Sequence, residues 1–347
     1  MTATTFLLRK DHLAPLLRRL AKEYRLVAPT RNSHGDTLFT EVEDVDAMAL
    51  DLDHQPQESL KPFLFPQQET IATYSALSPE AYSITPSRPF TPATLYFGVR
   101  SCDLAAILYM DVVFSQRARE AHYLARRHQS VLVGLNCNAP FPNCFCDATR
   151  NGPFRELGAD LQLTDLGNRF LVEAGRAQGE AIIKRWPQFF AEAGEEETRK
   201  QYQLYLEARG GFARQVHVDL AIRRLAEGKV EEAVWEQLSL RCQDCAGCAY
   251  VCPTCTCFTI IDRPGTERAG ERLRCWDACT FAGFTRMAGG HNPVVAKSAA
   301  IKNRFLHKLR YDVEKHGRPS CVGCGRCLGI CFGGTDIARF VELASGD

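Results

Sequence analysis

The chain has 347 residues, 45% of them hydrophobic, and 42 Lys and Arg against 41 Asp and Glu give a net charge of +1. That balance leaves no basic footprint for nucleic acid, and no apolar run approaches the ~18 residues that span a bilayer. The outlying number is sixteen cysteines, which point to disulfides in a secreted chain and to metal in a cytosolic one.

Between Met1 and Asp11 the only apolar patch is Phe6, Leu7 and Leu8, too short for a signal h-region, and Arg18–Arg19 has no apolar run behind it. A cytoplasmic location follows. Asp11 is expected to cap a helix with the stripe Leu13, Leu16, Leu17 and Leu20. Leu26–Ala28 and Leu38–Val42 read as short strands, and residues 50–93, rich in Pro, Gln and Ser, as surface loops. A βαβ unit follows: a strand over Leu95–Val99, a helix from Leu104 to about Arg126, and a strand over Val131–Leu135. Leu161–Thr164 and Phe170–Val172 pair as a hairpin around residues 165–168. Residues 178–239 read as mostly helical. The expectation is an α+β multidomain chain: an α/β domain over 1–155, a mostly helical connector over 156–239, and a cysteine-rich domain over 240–347.

The cysteines decide the chemistry. Cys242-x2-Cys245-x2-Cys248-x3-Cys252-Pro253 is repeated as Cys321-x2-Cys324-x2-Cys327-x3-Cys331. Two-residue gaps let three thiolates wrap one face of a cubane, and in two-cluster proteins the fourth cysteine of each run ligates the other cluster. One 4Fe-4S cluster is therefore expected on Cys242, Cys245, Cys248 and Cys331, and a second on Cys321, Cys324, Cys327 and Cys252. Gly247, Gly323 and Gly325 suit close backbone approach. Zinc ribbons also use Cys-x2-Cys, but two complete four-cysteine runs with Cys-Pro are more specific than that. Phe332 stands where the second run would carry Pro; that Pro is not a ligand. Sixty-eight residues separate Cys252 from Cys321, more than a small bacterial-type ferredoxin has, and within them Lys302–Lys315 reads as a helix with Phe305, Leu309 and Val313 on one side. This resembles the α-helical ferredoxin domain of iron–sulfur subunits in respiratory and heterodisulfide-type reductases.

Cys102, Cys137, Cys144 and Cys146 form another set. Cys102 and Cys137 each follow a predicted parallel strand, at the carboxyl edge where open α/β folds bind ligands. Cys144-x-Cys146 lies in a loop with Pro140 and Pro142. Cys102 at a helix N-terminus is expected to have a lowered thiol pKa. A third iron–sulfur cluster is preferred here over zinc or simple burial. Cys255, Cys257, Cys275 and Cys279 remain; a fourth site competes with packing beside the clusters, and packing is preferred. Cys242-x5-Cys248 with Cys275-x3-Cys279 mimics a siroheme pattern, but the stronger run claims Cys242 and Cys248.

No G-x-G-x-x-G opens a helix after a strand and there is no Walker loop, so neither flavin nor NAD is expected on this chain. The nine histidines show no H-x3-H pair; His291, in a turn-forming stretch, is either a surface residue or a hydrogen-bond donor to a cluster.

Gly98-Val99-Arg100-Ser101-Cys102-Asp103-Leu104, Gly134-Leu135-Asn136-Cys137 and Asn143-Cys144-Phe145-Cys146 resemble motifs of the beta subunits of cytoplasmic nickel–iron sulfhydrogenases. The 4Fe-4S dicluster electron-transfer subunit of anaerobic sulfite reductase is similar. Phe63-Leu64-Phe65-Pro66, Cys252-Pro253-Thr254-Cys255-x-Cys257-Phe258, Trp276-Asp277-Ala278-Cys279 and Gly290-His291-Asn292-Pro293 extend the resemblance over nearly the whole chain. It implies a non-catalytic electron-transfer subunit. One partner would be a flavoprotein subunit that binds FAD and NAD(P)H. The other would be a catalytic module: a hydrogenase, a sulfite or sulfur reductase, or a heterodisulfide-reductase-like unit. Two other readings compete: a reductase acting on a small substrate at the N-terminal metal site, which four available cysteines disfavour, and an iron–sulfur redox sensor, which the neutral charge disfavours.

Overall fold

A computed structural model describes residues 5–78, 81–116, 119–155 and 157–346. The chain opens with β1 (Thr5–Arg9), α1 (Lys10–Leu20), β2 (Arg25–Arg31) and β3 (Thr37–Glu41). Leu13, Leu16, Leu17 and Leu20 all turn inward on α1. Asp11 does not cap it: Arg9 holds the cap position with no side-chain bond, and Asp11 sits in the first turn paired to the Arg9 guanidinium.

Residues 50–93 depart from the loop expectation. They contain α2 (Lys61–Leu64), β4 (Gln68–Ser78) and β5 (Ala81–Pro86). The reason lies far along the chain, because β4 is held by a strand some two hundred residues away, which local composition does not reveal.

The βαβ unit is present as β6 (Thr94–Arg100) and β7 (Ser130–Leu135), paired in parallel. Its helix is broken into α3 (Ser101–Ser115) and α4 (Ala121–His128), because Gln116 is extended and the Glu120 side chain caps a new start at Tyr123. Next come β8 (Leu161–Asp165) and β9 (Arg169–Ala174), the predicted hairpin, with Asp165 opposite Phe170. After α5 (Ala177–Arg185) a short strand, β10 (Phe190–Glu192), interrupts the expected helical connector and pairs with β1. The sheet order is β10-β1-β9-β8-β7-β6-β2-β3. Its centre, β2-β6-β7-β8, is parallel. β6 and β7 are buried at every residue, as strands covered on both faces must be. One face packs α1 and α5 through Leu13, Leu16, Leu17, Ile182 and Ile183. The other packs α3 and α4 through Leu104, Ile107, Met110 and Tyr123.

The rest is helical around one hairpin: α6 (Glu195–Gly210), α7 (Val218–Ala226), α8 (Glu232–Arg241), α9 (Gly247–Tyr250), β11 (Phe258–Thr266) and β12 (Ala269–Trp276). β12 pairs antiparallel with β4, giving a second sheet in the order β11-β12-β4-β5. Then follow α10 (Lys297–Leu306), a π-helical turn (His307–Tyr311), α11 (Asp312–His316), α12 (Arg326–Ile330) and α13 (Ile337–Ser345). The single helix expected over Lys302–Lys315 thus carries a π turn at its middle. Trp235, Phe305 and Phe340 stack at the centre of these helices, with ring centroids 4.4 Å apart for Phe305–Phe340 and 4.9 Å for Trp235–Phe340. Each such buried side chain contributes roughly 1.5–3 kcal/mol. The chain is therefore mixed α/β with two sheets. Among the described residues no helix is long and apolar enough to cross a membrane.

Candidate iron–sulfur centres

The two C-terminal runs fold against each other at α9 and α12. Cys242, Cys245, Cys248 and Cys331 line a small cavity of about 20 Å³ together with Thr280, Arg304 and Phe332. Cys252, Cys321, Cys324 and Cys327 line a second, also of about 20 Å³, with Arg304, Lys308 and Gly323; Cys248 reaches both. Among the described residues no three His, Cys, Asp or Glu side chains close on a single-ion site. Backbone donors already face the sulfurs: Asp244 N–H lies 3.5 Å from Cys242 Sγ and Thr335 N–H 3.2 Å from Cys331 Sγ. Donors of this kind surround cluster sulfurs and tune their potential. The donor chemistry, at least four cysteines lining each cage, fits a 4Fe-4S group. The cages differ in exposure. Cys245 is exposed, whereas Cys321 and Cys324 are buried.

Three cations are buried here, and sequence reading passed over all of them. Lys308 Nζ lies 3.3 Å from Cys252 Sγ and 3.3 Å from Thr254 Oγ1. Burial pulls its pKa down, but the Cys252 and Cys255 thiolates more than offset that and hold it well above its ordinary value. Arg304 lines both cages and donates to the Thr335 carbonyl at 3.3 Å. Lys61 donates to the carbonyls of Ala249 (3.1 Å) and Cys255 (3.4 Å) and lies 3.8 Å over the Trp276 ring; burial lowers its pKa. The available signal was spacing: Arg304 and Lys308 are one turn apart, interrupting the apolar pattern of Ile301, Phe305 and Leu309.

The N-terminal set gathers at the carboxyl edge of the parallel strands. Cys102 opens α3 and Cys137 lies just beyond β7, and all four thiols are buried. After burial itself, Cys137 raises the pKa of Cys144, and both raise that of Cys146. Cys324 adds to Cys102, Cys144 and Cys146, so the set stands beside the second cage. The expected lowering at Cys102 is not observed. Burial first, then Asp103, pushes its thiol up, outweighing the helix terminus; Cys144 is pushed up to about 12 by burial and Cys137. Such thiols lose their proton when a metal takes its place.

The loop carrying this set is clamped to the second run. Phe145 N–H donates to the Gly323 carbonyl at 2.9 Å. Gly323 has φ +67° and a Cβ there would fall 2.5 Å from the Phe145 oxygen; Gly325, φ +74°, meets the Asn143 carbonyl in the same way. These two glycines serve contact between chain segments as well as approach to a cage. Asp103 and Arg326 form a buried two-bond ion pair, 2.7 and 2.8 Å, and Arg326 Nε also donates to the Pro56 carbonyl.

Of the remaining cysteines, Cys255 is hydrogen-bonded to Cys252. Cys257 is hydrogen-bonded to Cys279, which draws the Cys257 thiol down to about 7 and pushes Cys279 up. Cys275 lies on β12, in register with Thr259 and Gln68. His291 is exposed, in a turn closed by Met287 N–H on its carbonyl.

Residues 241–335 match the family model of the 4Fe-4S dicluster domain. Over 325 residues, 93% of each chain, the sequence is 26% identical to sulfhydrogenase 2 subunit beta of Pyrococcus furiosus. The resemblance read from the motifs is borne out: the chain is similar along nearly its whole length to a sulfhydrogenase beta subunit and carries a match to the 4Fe-4S dicluster domain, findings that support an iron–sulfur electron-transfer subunit.

Proposed function

We propose that this chain is the relay of a cytoplasmic oxidoreductase complex. It passes electrons between a flavoprotein subunit that binds FAD and NAD(P)H and a catalytic module of hydrogenase, sulfite or sulfur reductase, or heterodisulfide-reductase type. The observation that carries the reading is that each cage takes three cysteines from one run and the fourth from the other. In this reading Cys242, Cys245, Cys248 and Cys331 hold one 4Fe-4S cluster and Cys321, Cys324, Cys327 and Cys252 the second. Cys102, Cys137, Cys144 and Cys146 hold a third. The third centre belongs to the N-terminal domain read over 1–155, whose sheet is completed by β8, β9 and β10 from beyond that boundary.

When bound, such clusters supply one-electron uptake and release. The chain's residues set the path. The Asp103–Arg326 pair keeps the N-terminal set against the buried cage. Cys248 and Arg304 join that cage to the exposed one. Cys245, in the cage also lined by the exposed Phe332, offers the last edge to a partner.

Anaerobic purification tests this. Two complete sets plus a third give about eight to twelve irons and little zinc. Dithionite bleaches the isolated chain and NAD(P)H does not until a flavoprotein is added. Stoichiometric zinc with fewer than about four irons, or direct bleaching by NADH, overturns the reading.

A second reading has one observation in its favour. A cavity of about 520 Å³ has room for a small substrate and is lined by Phe154, Arg155, Gln201, Tyr205 and Asn136, the residue before Cys137 in the chain. Turnover of an oxidised sulfur compound by the reduced, isolated chain would favour direct reduction at the N-terminal set.

A further inference from the structure

The two C-terminal cages are lined by the same kinds of ligand but sit in different fields. At the exposed cage the nearest charges cancel. Asp244 Oδ1 lies 3.6 Å from Cys242 Sγ, and Lys297 pairs with the same carboxylate at 3.2 Å, both side chains being about two-fifths exposed. At the buried cage Lys308 points its ammonium straight at Cys252 Sγ and is 6% exposed. No carboxylate within ion-pair distance of Lys308 is found among the described residues; Asp312, one turn on, takes the Tyr109 hydroxyl and faces His307 and His316. Arg304 lines both cages and so does not distinguish them.

Two effects then oppose each other. Burial makes it harder to add an electron to an anionic centre, which disfavours the buried cage. A buried, unneutralised cation makes it easier, and in low dielectric its field is little screened. We propose that Lys308 sets the order of the relay: its charge against Cys252 keeps the centre held by Cys252, Cys321, Cys324 and Cys327 at the higher potential, so that electrons reaching the exposed cage run downhill and collect at the buried one. The inference rests on the reading of these cysteines as 4Fe-4S ligands. Lys308 is a positioning residue that acts through the ligand sulfur. Each step it governs moves one electron, supplied by a reduced flavin, with no proton or bond change.

The test is a potentiometric titration of the full chain followed by electron paramagnetic resonance. Cys321→Ala identifies the signal of the buried centre by its loss. In the wild type that signal has the higher midpoint of the two. In Lys308→Met its reduced-to-oxidised ratio at fixed potential falls at least tenfold, about 59 mV for one electron, and the order reverses, while Lys308→Arg keeps the wild-type value. Should Lys308→Met fail to retain iron, Lys308→Gln, which keeps a donor without the charge, must show the same fall. Unmoved midpoints in an iron-replete neutral variant, or a wild-type buried centre that is already the lower one, overturn the proposal. Absence of any 4Fe-4S signal in the wild type instead sinks the assignment of the cysteines themselves.

Discussion

Cys242 to Cys252 and Cys321 to Cys331 take their places from two- and three-residue gaps, whereas Cys102, Cys137, Cys144 and Cys146 come together only because β6 and β7 run parallel and end at one edge. In the first arrangement three of the four ligands of each cage are fixed locally and only the fourth depends on how the two runs pack together. The second depends on sheet register and on a loop pressed against Gly323 and Gly325. A defect in the fold should therefore reach the N-terminal set before the C-terminal cages.

The largest effects come from the thiols. Cys252→Ser should change the centre shared with Cys321, Cys324 and Cys327 and leave the Cys242, Cys245, Cys248 and Cys331 centre intact; spin quantitation of both signals checks this. Cys146→Ala should remove about a third of the iron and spare both C-terminal signals. Loss of all three centres in either variant would erase the distinction between local and assembled sites.

Next is the clamp between the regions. Arg326→Met leaves the Asp103 carboxylate buried without its partner and is expected to cost about 3–5 kcal/mol, read by urea denaturation. The N-terminal centre should be lost at lower urea than the other two. A change under about 1 kcal/mol would mean that water reaches Asp103.

A smaller effect is expected where the second sheet meets α4. Glu69 on β4 is paired with Arg126, Arg274 and His122. Burial pushes its carboxyl up, but Arg126 and His122 outweigh that and hold it below its ordinary value of 4.5. A lowered folded pKa means stability that is complete above about pH 4.5 and is lost as pH falls through the lowered value. Glu69→Gln should cost about 2–3 kcal/mol at neutral pH, because Arg274 keeps Glu120 as a second partner. It should also flatten the acid limb of the stability curve; an unchanged acid limb would sink this assignment.

The smallest effect is at Phe332, where the second run departs from Cys-Pro. Phe332 is 88% exposed, and Cys331 already has the extended backbone that precedes proline, φ −82° and ψ 97°. Phe332→Pro should change stability by no more than about 0.5 kcal/mol and leave both midpoints in place. A loss of iron would show that the aromatic ring shields the cage.

What the sequence could determine was short-range. The Leu13, Leu16, Leu17 and Leu20 stripe, the buried strands β6 and β7, the hairpin at Asp165 and the eight cysteines of the repeated runs all lie in windows of a dozen residues. Within such windows backbone period and ligand spacing are set by covalent geometry. The tertiary structure decided what depended on distant partners. β4 was hidden because its edge is satisfied by β12. The break between α3 and α4 turned on one extended residue and a side-chain cap. Asp103 and Arg326 became an ion pair across more than two hundred residues. Lys308 reads in sequence as one more charge on a helix; only the fold aims it at Cys252 and removes the water that would have screened it.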